Sequence, residues 1–274
     1  MRAMSSKERI VIAGGGTMGR ALCEGVLASG LASPEQVCVA EPDSQRRVAI
    51  HADLGVPTAP DCVAVLPGAA LLVLAIKPQV FPSLAAQLAG AIPEGALLLS
   101  IMAGISTTAL IEGTGHKAVV RAMPNTAARV RRAATVWYAS PSVSPAQAEL
   151  AGDVLSAIGE AIRVEQERQV DLATAVNGSG PAFVCLMAEA MIEGAVNIGL
   201  ERDLASRLVR LTLDGTAALL QAGSHPTQVR EGVTSPGGTT AAGLLALEGR
   251  AVRAAYIEAV RAAYQRTVEL GEKR

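Results

Sequence analysis

Net charge of either sign is missing from this 274-residue chain: 24 Lys and Arg stand against 25 Asp and Glu, a formal balance of −1. Without a basic stripe there is no electrostatic footprint for nucleic acid or for an anionic membrane surface. No uninterrupted apolar run approaches the roughly 20 residues that span a bilayer, and the opening MRAMSSKER lacks the apolar stretch of a signal peptide. These absences lead to the expectation of a soluble, cytoplasmic protein. Cysteine is sparse and unpatterned. Cys23, Cys38, Cys62 and Cys185 form no C-x-x-C pair and sit among apolar neighbours, so all four are expected as buried free thiols. His51, His116 and His225 lack metal spacing and are read as surface or loop residues, with no metal centre expected. Lysine is confined to Lys7, Lys77, Lys117 and Lys273.

What the chain has in quantity is apolar residues, 50% of the total, enough for a full core without disulfides or metals. Its length suits one large or two ordinary domains. The organising stretch is 9–19, RIVIAGGGTMG, in which an apolar run leads straight into Gly14, Gly16 and Gly19 at G-x-G-x-x-G spacing. Gly14 lets the chain turn sharply off a strand, Gly16 lets backbone N–H groups approach a pyrophosphate, and Gly19 lets the following helix pack close. A diphosphate would then sit on a helix N-terminus, where free donors and the helix dipole favour an anion. Helical spacing follows in Ala21, Leu22, Val26 and Leu27, then a second buried strand in 37–40. Glu41 ends that strand at about the 20-residue distance from the last glycine where an acid meets an adenosine ribose.

The alternation continues with a helix over 44–51, a strand over 71–76, a helix over 81–88, a strand over 97–101, a short helix over 107–111 and a strand over 118–122. Further strands are expected at 134–139 and 161–164, with a helix over 145–158 between them. Strand and helix in turn imply a doubly wound parallel sheet of Rossmann type. Lys77 stands in Lys77-Pro78-Gln79 at a strand's C-terminal edge, where open α/β sheets bind ligands. Ala103-Gly104 and Met123-Pro124-Asn125-Thr126 are strand ends small enough to admit a flat nicotinamide ring.

Beyond 165 no strand is expected. The divide gives a dinucleotide-binding domain over 1–165 and an all-helical domain over 166–274. In the helix over 181–198 the polar residues Glu189, Glu193 and Asn197 recur every fourth position, leaving one narrow polar stripe on an otherwise apolar surface. Such a helix requires burial on most sides, which points to a partner subunit. Helices over 204–221 and 252–270 would pack around it. Between them, Val233-Thr234-Ser235-Pro236-Gly237-Gly238-Thr239-Thr240 runs into an apolar helix. It reads either as an ordinary capped helix start or as an anion cradle of glycine N–H groups and converging hydroxyls.

The motifs GGGTMG, LAIKPQ, RAMPNT, NGSGPAF, the His225-Pro226 pair and VTSPGGTT, in that order, resemble the pyrroline-5-carboxylate reductase family nearly end to end. The resemblance implies a Rossmann domain followed by a helical dimerisation domain, with homodimers that assemble further into decamers. It implies reduction of the cyclic imine L-1-pyrroline-5-carboxylate to L-proline by NADH or NADPH, the last step of proline biosynthesis. By matching position, Gly14, Gly15, Gly16, Thr17, Met18, Lys77, Met123, Pro124 and Asn125 would line the cofactor beside Glu41. Ser179, Ser235, Gly237, Gly238, Thr239 and Thr240 would line the substrate, with Thr240 as the group at the imine nitrogen. One stretch departs: where the family has Pro-Ala and a glycine-containing turn, this chain reads AARVRRAAT over 127–135, so no family detail is carried into 127–133.

Two other readings meet the same motifs. A β-hydroxyacid dehydrogenase or related imine reductase also pairs a Rossmann domain with helices, but the former resembles enzymes with a catalytic lysine in the helical domain, and none lies between Lys117 and Lys273. A non-catalytic dinucleotide-binding protein would have no use for VTSPGGTT. On cofactor choice the signals oppose one another, since Glu41 repels a 2′-phosphate while Arg46 and Arg47 attract one.

Overall fold

The structure, a computed structural model, describes residues 8–272. The opening segment 1–7, read above for a signal peptide, and Lys273 lie outside the described residues. The chain divides into two compact units, one of residues up to Gly178 with the end of the chain from Ala263, the other Ser179–Ala262.

The first unit is built on an eight-stranded sheet: β1 (Arg9–Ala13), β2 (Val37–Ala40), β3 (Thr58–Ala59), β4 (Ala69–Leu74), β5 (Leu97–Ser100), β6 (Val119–Met123), β7 (Ala133–Ala139) and β8 (Gly159–Arg163), in spatial order 3-2-1-4-5-6-7-8. Its central strands are apolar runs because both faces are covered. Alternate residues go to opposite cores. Ile10, Ile12, Leu71 and Val73 pack with α1 (Thr17–Ala28) and α5 (Pro145–Ser156), while Val11, Ala13, Leu72 and Leu74 pack with α3 (Phe81–Leu88) and α4 (Thr107–Thr114). Side chains start three of the helices: Asp43 accepts from the Arg46 N–H at the head of α2 (Ser44–Leu54), Ser106 caps α4, and Ser144 with Gln147 forms a capping box on α5.

The sheet is parallel in the main but not throughout. Strands β1 to β6 pair parallel, β7 runs antiparallel to β6, and β8 is again parallel to β7. The doubly wound, mainly parallel sheet is the one expected from the alternation, and its single antiparallel pair has its reason in connection length. Between β6 and β7 the chain has only the 3-10 turn Thr126–Val130, too short for the crossover of about a dozen or more residues that parallel pairing needs. His116 is in a loop, as read, but not at the surface. It is buried, with Nε2 2.8 Å from the Ala96 carbonyl oxygen.

Past β8 every described element is helical: α6 (Arg168–Ala173), a π-helical turn (Thr174–Gly178), α7 (Gly180–Asn197), α8 (Arg202–Gln221), α9 (Pro226–Gly232), α10 (Thr239–Gly249) and α11 (Val252–Glu272). Within one chain α7 has no buried residue, and Leu186 is 66% exposed. Cys185, expected buried, is exposed for the same reason, whereas Cys23, Cys38 and Cys62 lie in the first unit's interior. Burial pushes the thiols of Cys23 and Cys62 up to about 12. No apolar run is uninterrupted over such a length, but by length and mean hydropathy one helical stretch among the described residues, Arg168–Asn197, is long and apolar enough to cross a membrane.

Candidate active site

Strand order reverses between β1 and β4, so the loops that follow them part and leave a crevice at the carboxyl edge of the sheet. A cleft of about 590 Å³ occupies it, lined among others by Gly14, Gly16, Glu41, Arg46, Ile76 and Lys77. Each motif glycine has its own reason. Gly14, at φ +102°, turns the chain off β1 while its N–H donates to the Ala40 carbonyl at 2.8 Å, and a Cβ there would stand 2.6 Å from the Ala75 oxygen. At Gly19 a Cβ would be 1.9 Å from the Gly14 oxygen, so α1 passes beneath the loop only without a side chain. Gly16 instead has nothing within 4 Å of its Cβ position, and as N-cap of α1 it supplies no side-chain cap. The open space and uncapped helix start fit a diphosphate. Thr17 is exposed at the first helical position, and Met18 packs half-buried on the core.

Glu41, 5% exposed, is bound into this loop. Its Oε2 accepts from the Gly15 N–H at 2.9 Å and from Arg46 Nη1 at 3.0 Å, and its Oε1 accepts from the Asp43 N–H at 3.0 Å. Burial alone would raise its pKa, but the Asp43 and Gly15 N–H groups, with Arg46, hold the carboxyl below its ordinary value. Arg47 is tied down separately, with Nη1 donating to the carbonyls of Glu41 and Pro42, both at 2.7 Å. Lys77 is exposed just past the end of β4, at the head of the 3-10 turn Pro78–Val80.

Met123, Pro124 and Asn125 stand at the carboxyl end of β6, two strands beyond β4, and are not among the residues lining the cleft. Asn125 Oδ1 caps the next turn by accepting from the Ala127 N–H at 3.2 Å. Two groups here escaped the sequence reading. Arg121, in mid-strand and 3% exposed, is paired by Nη1 with Glu167 at 3.1 Å and by Nη2 with Asp171, and Glu167 in turn accepts from the Thr107 N–H and hydroxyl at 2.7 and 2.6 Å. The signal was available in VVRAM, an arginine inside an apolar strand. Asn177, read only as part of a motif, donates from Nδ2 to the carbonyls of Met123 and Ala134 at 2.7 and 2.8 Å.

In the second unit, Ser179 stands half-buried before α7 without a side-chain cap bond. The stretch Ser235-Pro236-Gly237-Gly238 is a tight turn in which the Gly238 N–H donates to the Ser235 carbonyl at 3.0 Å. Proline at its second position and Gly237 at φ +67° in its third are the requirements of a type II turn. A Cβ on Gly238 would meet Ser235 Oγ at 2.4 Å and the Ser235 carbonyl oxygen at 3.1 Å, so a side chain there would force Ser235 to shift. Gly238 is the N-cap of α10 and brings no side chain to it. Thr239 and the half-buried Thr240 are therefore the first helical residues, and Thr240 is not the cap.

A nucleotide crevice at a strand-order reversal, joined to an all-helical unit with an uncapped glycine turn, defines a dinucleotide-dependent oxidoreductase. Residues 167–270 match the family model for pyrroline-5-carboxylate reductase dimerisation, and 9–104 match that for NADP oxidoreductase coenzyme F420-dependent. The chain is 42% identical over 263 residues to the pyrroline-5-carboxylate reductase of Synechocystis, covering 96% of this chain and 98% of that one. Among solved structures it is similar to a pyrroline-5-carboxylate reductase from Coxiella burnetii, with TM-score 0.89, 34% identity and coverage of 97% and 99% of the two chains. It is also similar to the Plasmodium falciparum pyrroline carboxylate reductase solved with NADP bound, with TM-score 0.87, 26% identity and coverage of 96% and 98%. The chain belongs to the pyrroline-5-carboxylate reductase family.

Proposed function

We propose that the chain reduces L-1-pyrroline-5-carboxylate to L-proline with NADH or NADPH, as the last step of proline biosynthesis. The observation that carries this reading is the pair of helices whose N-cap is a glycine, α1 at Gly16 and α10 at Gly238, so that no side chain covers their first N–H groups. Two such starts offer backbone donors to two anions, a cofactor diphosphate and a substrate carboxylate. The dinucleotide, when bound, supplies the hydride that adds to the imine carbon. Residues 1–165 hold it and 166–274 hold the substrate and a second subunit.

In the first part, Gly14, Gly15, Gly16, Thr17 and Met18 take the diphosphate, and Glu41 and Lys77 stand on either side of the crevice. Met123, Pro124 and Asn125 offer the small strand end for the nicotinamide. In the second, Ser179, Ser235, Gly237, Gly238 and Thr239 surround the imino acid, and Thr240 hydrogen-bonds its nitrogen. Hydride addition requires that negative charge not build up on nitrogen. A threonine hydroxyl is a poor acid at neutral pH. Thr240 therefore orients the nitrogen, and the net proton comes from solvent or from an iminium already protonated on binding.

The apolar surface of α7 is covered by a second copy rather than by a membrane or nucleic acid. The proposed assembly is a cytoplasmic homodimer that associates further into a decamer. The deciding measurement is oxidation of NADH and of NADPH, followed separately with pyrroline-5-carboxylate and the purified chain. Turnover with either supports the reading, and binding without turnover leaves the non-catalytic alternative standing.

A further inference from the structure

Asn177 sits in the π-helical turn Thr174–Gly178, a rare form that occurs mostly as single turns and frequently at functional sites. Its side chain ties this turn to the sheet. Both amide protons of Nδ2 are used, one by the Met123 carbonyl at 2.7 Å and one by the Ala134 carbonyl at 2.8 Å. These two carbonyls belong to the last residue of β6 and an early residue of β7, so one amide clamps the two ends of the 124–132 connection. The amide cannot be reversed, because Oδ1 would then face two carbonyl oxygens. The neighbouring Gly178 leaves room for the Met123 side chain, since a Cβ there would stand 3.2 Å from Met123 Cε.

The same side chain has a feature that argues against a role in stability alone. Its Oδ1 is buried with no hydrogen-bond partner. An unmet buried acceptor offsets the gain from two neutral hydrogen bonds, leaving little net stabilisation from keeping asparagine here. What remains is geometry. We infer that Asn177 is a positioning residue, which holds the carbonyl end of β6 so that Met123-Pro124-Asn125 is presented in one conformation to the nicotinamide end of the cofactor. The inference rests on the cofactor reading of that strand end.

The test compares Asn177→Ala, Asn177→Ser and Asn177→Asp in the full-length protein. Four quantities are measured: NADPH and NADH affinity by fluorescence titration, kcat with pyrroline-5-carboxylate, backbone amide exchange over 119–139 without cofactor, and melting temperature. For Asn177→Ala, kcat falls on the order of 10²-fold, as for a misplaced reacting group. Its NADPH affinity weakens, amide exchange over 124–133 quickens, and the melting temperature stays near that of the parent. Asn177→Ser, with one donor left, falls between. Asn177→Asp sets oxygens against both carbonyls and is the most impaired, and if it does not fold the other two variants decide. Parental kcat, affinity and exchange in Asn177→Ala would overturn the inference, as would a loss of activity explained wholly by a lower melting temperature. If the parent protein binds neither cofactor, the cofactor reading has failed, and the exchange experiment still decides whether Asn177 holds the connection.

Discussion

In the first unit, Ile10 and Ile12 turn to one face of the sheet, Val11 and Ala13 to the other, and helices of the same unit cover both. In the second, Leu186, Ile198 and Leu245 stand in solvent. The contrast separates two ways of building a site. The crevice between β1 and β4 is set by buried backbone, with glycines at 14 and 19 that nothing else can replace. The α10 start is set by one turn on a helix whose surroundings this chain does not supply, and a second copy is what the proposed dimer brings to it.

The sharpest break of that contrast is Gly19→Ala, which places a methyl 1.9 Å from the Gly14 oxygen. The loop must move, and calorimetric titration should find no measurable dinucleotide binding. Next in size is Leu186→Glu on α7. The side chain is exposed in one chain and costs little there, but at a subunit interface an unpaired buried charge costs about 3–5 kcal/mol. Light scattering at micromolar concentration should show a dimer or larger assembly for the parent and a shift to monomer for the variant. A monomeric parent would defeat the proposed dimer outright.

Thr240→Ala comes third. Losing one hydrogen bond to the reacting nitrogen should cost about 2.7–4 kcal/mol in the transition state, roughly 10²–10³ in kcat. Gly238 is the N-cap, so the loss of about 1 kcal/mol that follows removal of a capping side chain should not appear in the melting temperature. Thr240→Ser should restore most of the rate, and a variant that loses stability but not kcat would refute the role.

The smallest effect is expected for Glu41→Ser. Releasing Arg46 from the carboxylate should favour a 2′-phosphate by about 1.5 kcal/mol, or roughly tenfold in the NADPH to NADH ratio of kcat/KM. An unchanged ratio would mean that Glu41 does not influence the ribose end. The variant also has a pH signature. Because the folded state depresses the Glu41 pKa, its stabilising contribution is present above the unfolded value of about 4.3 and is lost as pH falls through the folded value. The stability gap between parent and Glu41→Ser should therefore be widest near neutrality and close in acid.

Much of the first unit was legible because apolar runs and breakers carry it. Helix 81–88 falls on Phe81–Leu88 to the residue, and the G-x-G-x-x-G glycines lie where a strand gives way to a helix. Strand direction was not legible from strand composition, since a run such as AATVWYA looks the same either way. It was legible from what lies between, because the residues from 123 to 133 carry no helical period long enough for a crossover. The two-residue strand Thr58–Ala59 is too short to carry a period. Glu41 was placed by its distance from Gly19, but its grip on Gly15, Asp43 and Arg46 is tertiary and leaves no mark on the sequence. Asn177 is the same kind of case, with partners far along the chain at Met123 and Ala134.

The uneven burial of the four thiols gives the chain a built-in chemical address. The thiolate is the form that reacts, and burial keeps Cys23 and Cys62 almost wholly protonated at neutral pH while also raising the pKa of Cys38. Cys185 is exposed on α7. A maleimide dye or spin label added to the unmodified protein therefore attaches at one position per separated chain. That position lies on the helix whose surroundings decide the assembly, and no cysteine has to be removed or introduced to put a probe there.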